Sequence, residues 1–277
     1  MPEISVIMGI YNENKKQAAQ AITSILNQTF QDFEFIICDD GSRMEFYQWL
    51  KKYCSKDARI RLLRNAENKG LAAALNRCLS CADGKYIARM DADDRSKADR
   101  LEKQAAFLRL HSEYALVGSS VLLADRHGVW GKRRLEKEPQ RESFLNTSPF
   151  VHPSVMIRRE VMERLHGYCE SLAALRAEDY ELFMRLYASG FCGYNLQEAL
   201  LVYRENIQAY AKRRYRFRIR ECAVRFVGFR RLGILKGNFL YVVKPLAVGM
   251  IPARIMALLR RKRYGIGRND RDRCIEL

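Results

Sequence analysis

Neither of the common glycine-rich phosphate cradles occurs in this chain. There is no GxGxxG after the first strand-like run and no GxxxxGK[ST] anywhere, which excludes a dehydrogenase-type dinucleotide site and a P-loop. A disulfide framework is also missing. The eight cysteines, Cys38, Cys54, Cys78, Cys81, Cys169, Cys192, Cys222 and Cys274, lack the density and regular spacing of one, and a reduced, cytosolic setting fits. The single CxxC, Cys78 to Cys81, falls late in a helix-like stretch, away from the N-terminal end where the dipole lowers a thiol pKa, so it reads as inert. The opening MPEISVIMGIY has no basic leader and only a short apolar run, so a protein that is not secreted is expected. No apolar stretch reaches the roughly 20 residues of a membrane span. In the most apolar one, 239–259, Lys244 and Arg254 intrude, and Pro245 and Pro252 are expected to break helical continuity.

Negative charge is scarce in one region only. Residues 1–200 hold 29 Lys and Arg against 27 Asp and Glu, whereas residues 201–277 hold 20 against 5. A nearly neutral body thus carries a basic appendage, the pattern of a chain that meets an anionic surface away from its active site. With 277 residues, 48% of them hydrophobic, a sizeable core is available.

Short β-branched runs at 4–10, 33–38, 60–63 and 86–90 alternate with helix-length patterns at 17–26, 45–53 and 71–79. Such alternation predicts a doubly wound α/β domain with a buried parallel sheet. In sheets of this kind ligands bind beyond the carboxyl ends of the strands. The second run ends in Asp39-Asp40-Gly41-Ser42 and the fourth in Asp91-Ala92-Asp93-Asp94. Carboxylates repel phosphates unless a divalent cation lies between them, so acidic clusters at a nucleotide position imply Mn²⁺ or Mg²⁺, hard ions that take oxygen ligands. Each cluster also has a plain alternative. Asp-Gly-Ser is ordinary turn chemistry, and Asp94 or Ser96 could cap a helix beginning near Lys97.

Six blocks in order, SVIMGIYNE, SILNQTFQDFEFIICDDGS, NKGLAAALN, GKYIARMDADD, HPSVMIRR and AEDYELFMRL, resemble the family 2 glycosyltransferases. The resemblance implies a GT-A fold, a Rossmann-like, mixed and mostly parallel sheet flanked by helices, over residues 1–204. It looks most like members that build bacterial polysaccharides and lipid-linked oligosaccharides. It further implies an inverting enzyme that transfers one sugar from a nucleotide-sugar donor, with UDP the expected nucleotide, to a glycan or lipid-linked acceptor. By the same resemblance Asp39 and Asp40 lie beside the nucleobase, Asp91 faces the ribose or sugar, and Asp93, with Asp94 as a second candidate, binds the metal. Asn68 and Gly70 approach the nucleotide, and His152 touches the diphosphate or packs beneath the sheet. Asp179 is the general base, and its alternative is a carboxylate favouring a helix N-terminus. Two departures concern the acceptor side: His166-Gly167-Tyr168-Cys169 replaces a GGY-acidic element, and no histidine follows Tyr203-Arg204. The processive QxxRW pattern is absent, so one sugar per encounter is expected.

Residues 205–277 read as a basic amphipathic tail. Arg213, Arg214, Arg216, Arg218, Arg220, Arg225, Arg230 and Arg231 stand among Tyr, Phe, Ile and Val, ahead of the apolar, proline-interrupted stretch. An interfacial segment on an anionic membrane is predicted, which places the protein in the cytoplasm, peripheral on the inner face of the plasma membrane. Two rivals remain at this level. A nucleic-acid arm would explain the charge but leave both acidic clusters idle. A sugar nucleotidyltransferase would need a Gly-rich, Arg-containing loop where the chain has Tyr11-Asn12-Glu13-Asn14.

Overall fold

Strands β1 (Ile4–Ile10), β2 (Phe33–Asp39), β3 (Ile60–Arg64) and β4 (Tyr86–Arg89) follow the four β-branched runs. They pair in parallel in the order β3-β2-β1-β4. The computed structural model describes residues 1–171, 174, 176–205 and 215–267; Lys212, Arg213 and Arg214 of the predicted basic helix, and Cys274, lie outside them. The runs are mostly apolar because helices cover both faces of the sheet. α1 (Lys15–Leu26) and α2 (Met44–Cys54) bury Ala18, Ile22, Phe46 and Leu50 against Val6, Met8 and Phe35. α3 (Leu71–Leu79) buries Leu75 and Cys78 against Ile7 and Ile36 on the other face. Asn14 sets the start of α1 by accepting from the backbone N–H of Lys16 (3.0 Å) and Gln17 (3.2 Å), a cap worth about 1 kcal/mol.

The second half extends the same sheet. β5 (Arg95–Ser96), α4 (Arg100–Leu110), β6 (Leu116–Asp125), β7 (Gly128–Arg133), β8 (Met156–Arg158), α5 (Arg159–Arg164), α6 (Glu178–Ala188) and β9 (Gly193–Arg204) follow in chain order. The full order is β3-β2-β1-β4-β8-β6-β9-β5, with β7 paired to β6. The long ladder β6·β9 is parallel, while β4·β8, β6·β8, β6·β7 and β5·β9 are antiparallel. The expected mixed, mostly parallel α/β sheet is therefore present. One local expectation is corrected: α4 begins at Arg100 with Asp99 in the cap position, and neither Asp94 nor Ser96 caps it, because β5 intervenes.

Beyond Arg204 the chain returns to the core. α7 (Tyr215–Leu232) lies on α6 and buries Val224, Phe229 and Leu232. The helices touch closely at Gly228, where a Cβ would stand 2.3 Å from Met184 Sδ. α8 (Phe239–Gly249) adds Val242 to the same cluster, and α9 (Ala253–Tyr264) has no buried residue. Pro245 was expected to break the helix and does not. It removes the hydrogen bond that the Tyr241 carbonyl would accept within the helix, and buried Arg225 donates to that carbonyl instead (3.2 Å). Only Pro252 interrupts the pair, at a bend of 117° between α8 and α9. Among the described residues no single helix is long and apolar enough to cross a membrane.

Candidate active site

The loops after β1 and β2 are stitched together. Asn12, in the left-handed region at φ 47°, donates its N–H to Ser42 Oγ (2.8 Å), and its Oδ1 accepts from Arg43 N (2.9 Å). Gly41 (φ 73°) runs so close to the next loop that a Cβ would stand 2.4 Å from the Glu67 carbonyl carbon. Asp40 bolts that loop down. Its Oδ1 accepts from Asn65 Nδ2 (2.7 Å) and Lys69 N (3.0 Å), and its Oδ2 from Gly70 N (2.8 Å). Gly70 takes φ 93° to open α3, and Asn68 stands exposed at the loop tip.

The two adjacent aspartates therefore divide their roles. Asp40 is spent on the loop, which leaves Asp39 as the one carboxylate of the pair open to a base. Asp39 is fully buried, its oxygens accept no hydrogen bond, and only Arg64 Nε stands near, at 3.3 Å. A buried carboxylate without donors is costly unless a ligand completes it. Tyr11, half exposed, follows Ile10, which is registered against Asp39.

Two strand spacings from β2, about 10 Å away, β4 ends in the acidic cluster. One carboxylate oxygen from each of Asp91, Asp93 and Asp94 lies within 4.8 Å of the others. Asp94 Oδ1 accepts from Arg204 N (2.7 Å), while its Oδ2 is buried and unpartnered. Arg204 Nε also donates to the Asp93 carbonyl (3.0 Å). Burial, then the charges of Asp91 and Glu13, push the Asp93 carboxyl up to about 7. Burial, then the charges of Asp91 and Asp93, raise Asp94 well above the usual range. The negative charge is thus under-compensated and the oxygen donors converge, so Asp91, Asp93 and Asp94 fit a hard divalent cation.

Arg89, which sequence reasoning missed, links this cluster to α6. Its guanidinium is 2% exposed, its Nη1 is 2.5 Å from Asp91 Oδ1, and its Nε has no acceptor. Its charge also reaches Asp93, Asp94 and Asp179. The available signal was an arginine inside an otherwise apolar strand, two residues before Asp91. Asp179 sits in the first turn of α6. Burial, then the neighbouring Glu178, push its carboxyl up to about 6, suited to a base near neutral pH.

His152 lies beneath this site rather than in its opening. It is 9% exposed, its Nε2 meets the Tyr168 hydroxyl at 2.9 Å, and its ring packs edge-on to Tyr168 and Phe183. Burial, then the Arg89 charge, hold its pKa well below the usual value. The ring is neutral and offers a diphosphate no charge. Tyr168 in turn lies within electrostatic reach of Asp179, Asp91 and Glu178.

The sequence signature of glycosyl transferase family 2 matches residues 5–166, and that of glycosyl transferase family group 2 matches residues 86–267. EpsE of Bacillus subtilis, a glycosyltransferase by assignment, is 41% identical over 263 residues, covering 95% of this chain and 94% of its own. The O-antigen biosynthesis glycosyltransferase WbnJ of Escherichia coli is 35% identical over 208 residues, covering 73% of this chain and 79% of its own. Among solved structures, S. aureus TarS 1–349 in complex with UDP-GlcNAc superposes with a TM-score of 0.65 at 20% identity, over 90% of this chain and 71% of that one, a likeness of GT-A fold. With signature, near full-length relative and fold in agreement, the chain belongs to glycosyl transferase family 2 and is a glycosyltransferase.

Proposed function

We propose that the protein transfers a single sugar from a UDP-sugar, with inversion at the anomeric carbon, to a glycan or lipid-linked acceptor in cell-surface polysaccharide biosynthesis. The observation that carries this reading is the convergence of Asp91, Asp93 and Asp94 across Arg89 from Asp179. Asp39, buried and with only the ion pair to Arg64, accepts the base N–H, and the interval of about 10 Å to β4 spans the nucleoside. Asp93 and Asp94, with Asp91, hold Mn²⁺ or Mg²⁺, which when bound neutralises charge on the departing diphosphate. Asp179 takes the proton of the acceptor hydroxyl. With one base and no enzyme nucleophile, attack occurs in a single displacement, hence inversion. UDP-GlcNAc in the TarS complex supports the donor class, and the WbnJ name supports the acceptor class.

The same reading puts the enzyme on the cytoplasmic face of a membrane. α9 is tied to the sheet by polar contacts, Arg261 to Asp125 at the end of β6 (2.7 Å) and Arg260 to Glu205 just after β9 (2.5 Å). It thereby leaves Ile255, Leu258 and Leu259 exposed beside Arg254, Lys262 and Arg263. Leu240 of α8 and Met250 at the bend are 81% and 77% exposed. Apolar side chains interleaved with cations suit the interface of an anionic bilayer.

Incubating the protein with UDP-glucose, UDP-galactose, UDP-GlcNAc and GDP-mannose, with Mn²⁺ or with chelator, tests the donor. A metal-dependent thermal shift and turnover confined to UDP-sugars are expected, with a β-linked product from an α-linked donor. Turnover in chelator, a GDP-mannose preference or an α-linked product would refute the corresponding part.

A further inference from the structure

A groove of about 1190 Å³ is lined by neither Asp93 nor Asp179. It runs along the outer side of α1, between that helix, β5 with residues 97–99, and the strands β6, β7 and β9. Lys16 to Asn27 mark its length, about 17 Å at 1.5 Å per helical residue. Its cations are Lys16, Arg95, Lys97 and Lys132, and its carboxylates Asp99 and Glu198. Both carboxylates share the single charge of Lys103, which pairs with Asp99 at 2.7 Å and with Glu198, and four lining cations outnumber the two carboxylates. Lys16, Arg95 and Lys132 have no carboxylate partner among the described residues, so the groove keeps a net positive charge. Gln20 and Asn27 add amides, while Leu122 and Leu200 form an apolar floor.

The groove is preformed and adjoins the metal cluster. Ser96 N donates to Ser24 Oγ (3.0 Å), and Gln28 Nε2 donates to the Lys97 carbonyl (2.7 Å), fixing β5 to α1. Gln20 accepts from Arg204 Nη2 (3.4 Å), the residue whose backbone N–H holds Asp94, and Arg95 follows Asp94 directly. No Phe, Tyr or Trp lines it, which removes the stacking platforms that nucleic-acid strands use. Unpaired cations spaced along a polar trough, over an apolar floor and beside amides, match a chain of sugar rings bearing carboxylates or phosphates.

We propose that this groove is a second carbohydrate site, holding an extended anionic saccharide chain of the acceptor or product beside the catalytic cleft. The inference rests on the glycan-acceptor reading, and its test is a binding measurement that reads separately from transfer. Titration calorimetry of the full chain with tetragalacturonate, maltotetraose and inorganic pyrophosphate should show tetragalacturonate binding at least about tenfold tighter than either control, weakening with salt over a Debye length of about 8 Å. Replacing Lys16, Arg95 and Lys132 together by Gln should weaken it about tenfold or more, from about two- to fivefold per exposed charge pair. Lys132→Glu alone, on the exposed β7 edge, should reproduce part of the loss with unchanged Tm. Asp93→Ala should bind tetragalacturonate normally although it loses transfer, and the groove variants should keep UDP binding with Mn²⁺. Equal binding of all three probes, tight binding of pyrophosphate alone, or an unchanged affinity in the triple variant would overturn the assignment.

Discussion

Replacing Asp179 by Asn separates the two roles open to a carboxylate in a first helical turn. Its pKa is near 6 instead of 3.8, through burial first and the Glu178 charge second. A folded-state pKa above the unfolded one means that the native state holds a proton the unfolded chain lacks between about pH 4 and 6. Stability therefore falls as pH rises through that window, and the ionised group costs the fold up to about 3 kcal/mol at neutral pH. Asp179→Asn removes that cost. A rise in Tm at pH 7.5 is expected, several degrees and at most about 10 °C for a chain of this size. Were the carboxylate present to favour the helix N-terminus, its loss would instead destabilise by about 0.3–1 kcal/mol. The catalytic reading adds a loss of transfer of about 10² to 10⁴ with donor binding retained. In the wild type, kcat/KM should fall about tenfold per pH unit below about pH 6 as the base takes its proton. Glu178→Gln, which removes the like charge but not the burial, should move that limb to lower pH. Calorimetry and a pH profile with a soluble acceptor mimic read all of this. A variant with lowered Tm and near wild-type transfer, or an acid limb indifferent to Glu178, would refute the argument.

Asp93→Ala should abolish transfer and the Mn²⁺-dependent thermal shift. Because Asp93 holds its proton up to about pH 7 and must lose it to ligate, the wild-type shift with Mn²⁺ should be larger at pH 8 than at pH 6. Asp39→Asn should weaken UDP binding by about one to two orders of magnitude, for one charge-assisted bond, with Tm held. Asp40→Ala should instead lower stability by about 1–3 kcal/mol in denaturant titration, because it strips acceptors from the Lys69 and Gly70 N–H groups. Replacing Ile255, Leu258 and Leu259 by Ser should reduce sedimentation with vesicles containing phosphatidylserine while sparing transfer to a soluble mimic; unchanged sedimentation would remove α9 from the membrane contact. Deletion from residue 238 is the poorer experiment, since it takes Val242 out of the core.

The first half of the sheet was legible because its signals are local. The runs that became β1 to β4 are mostly apolar on both faces, and the observed bounds Ile4–Ile10 and Leu71–Leu79 coincide with the pattern. The acidic clusters could be placed because strand ends are where open α/β sheets bind ligands. The second half was less readable. β5 has two residues and β8 three, too short for periodicity to register. β6 and β9 pair in parallel across some 75 intervening residues, a contact that no local pattern encodes. Asp39 and Asp40 look identical in sequence, and only the return of the Glu67–Gly70 loop over Gly41 shows which of them is already occupied.

Buried arginines account for most of what remained hidden. A sequence pattern reads Arg as exposed, because its isolated burial is costly. Arg89, Arg100 and Arg225 are nonetheless buried, Arg100 and Arg225 donating to main-chain carbonyls and Arg89 facing the Asp91 carboxylate. Arg225 takes the carbonyl freed by Pro245 together with those of Leu145 and Asn146, so a helix that reads as broken stays whole. Arg100 donates to the carbonyls of Arg89 and Val155, fixing the strand end from which the acidic cluster projects. Arg89 then places a permanent positive charge behind Asp91, Asp93, Asp94 and Asp179. One guanidinium does not neutralise four carboxylates, and burial, then like charge from Asp91 and Glu13 on Asp93 and from Glu178 on Asp179, raises the pKa of both. In the proposed reaction that excess of negative charge draws a divalent cation to Asp91, Asp93 and Asp94 and leaves Asp179 as the base, so the same interior charge serves both halves of the transfer.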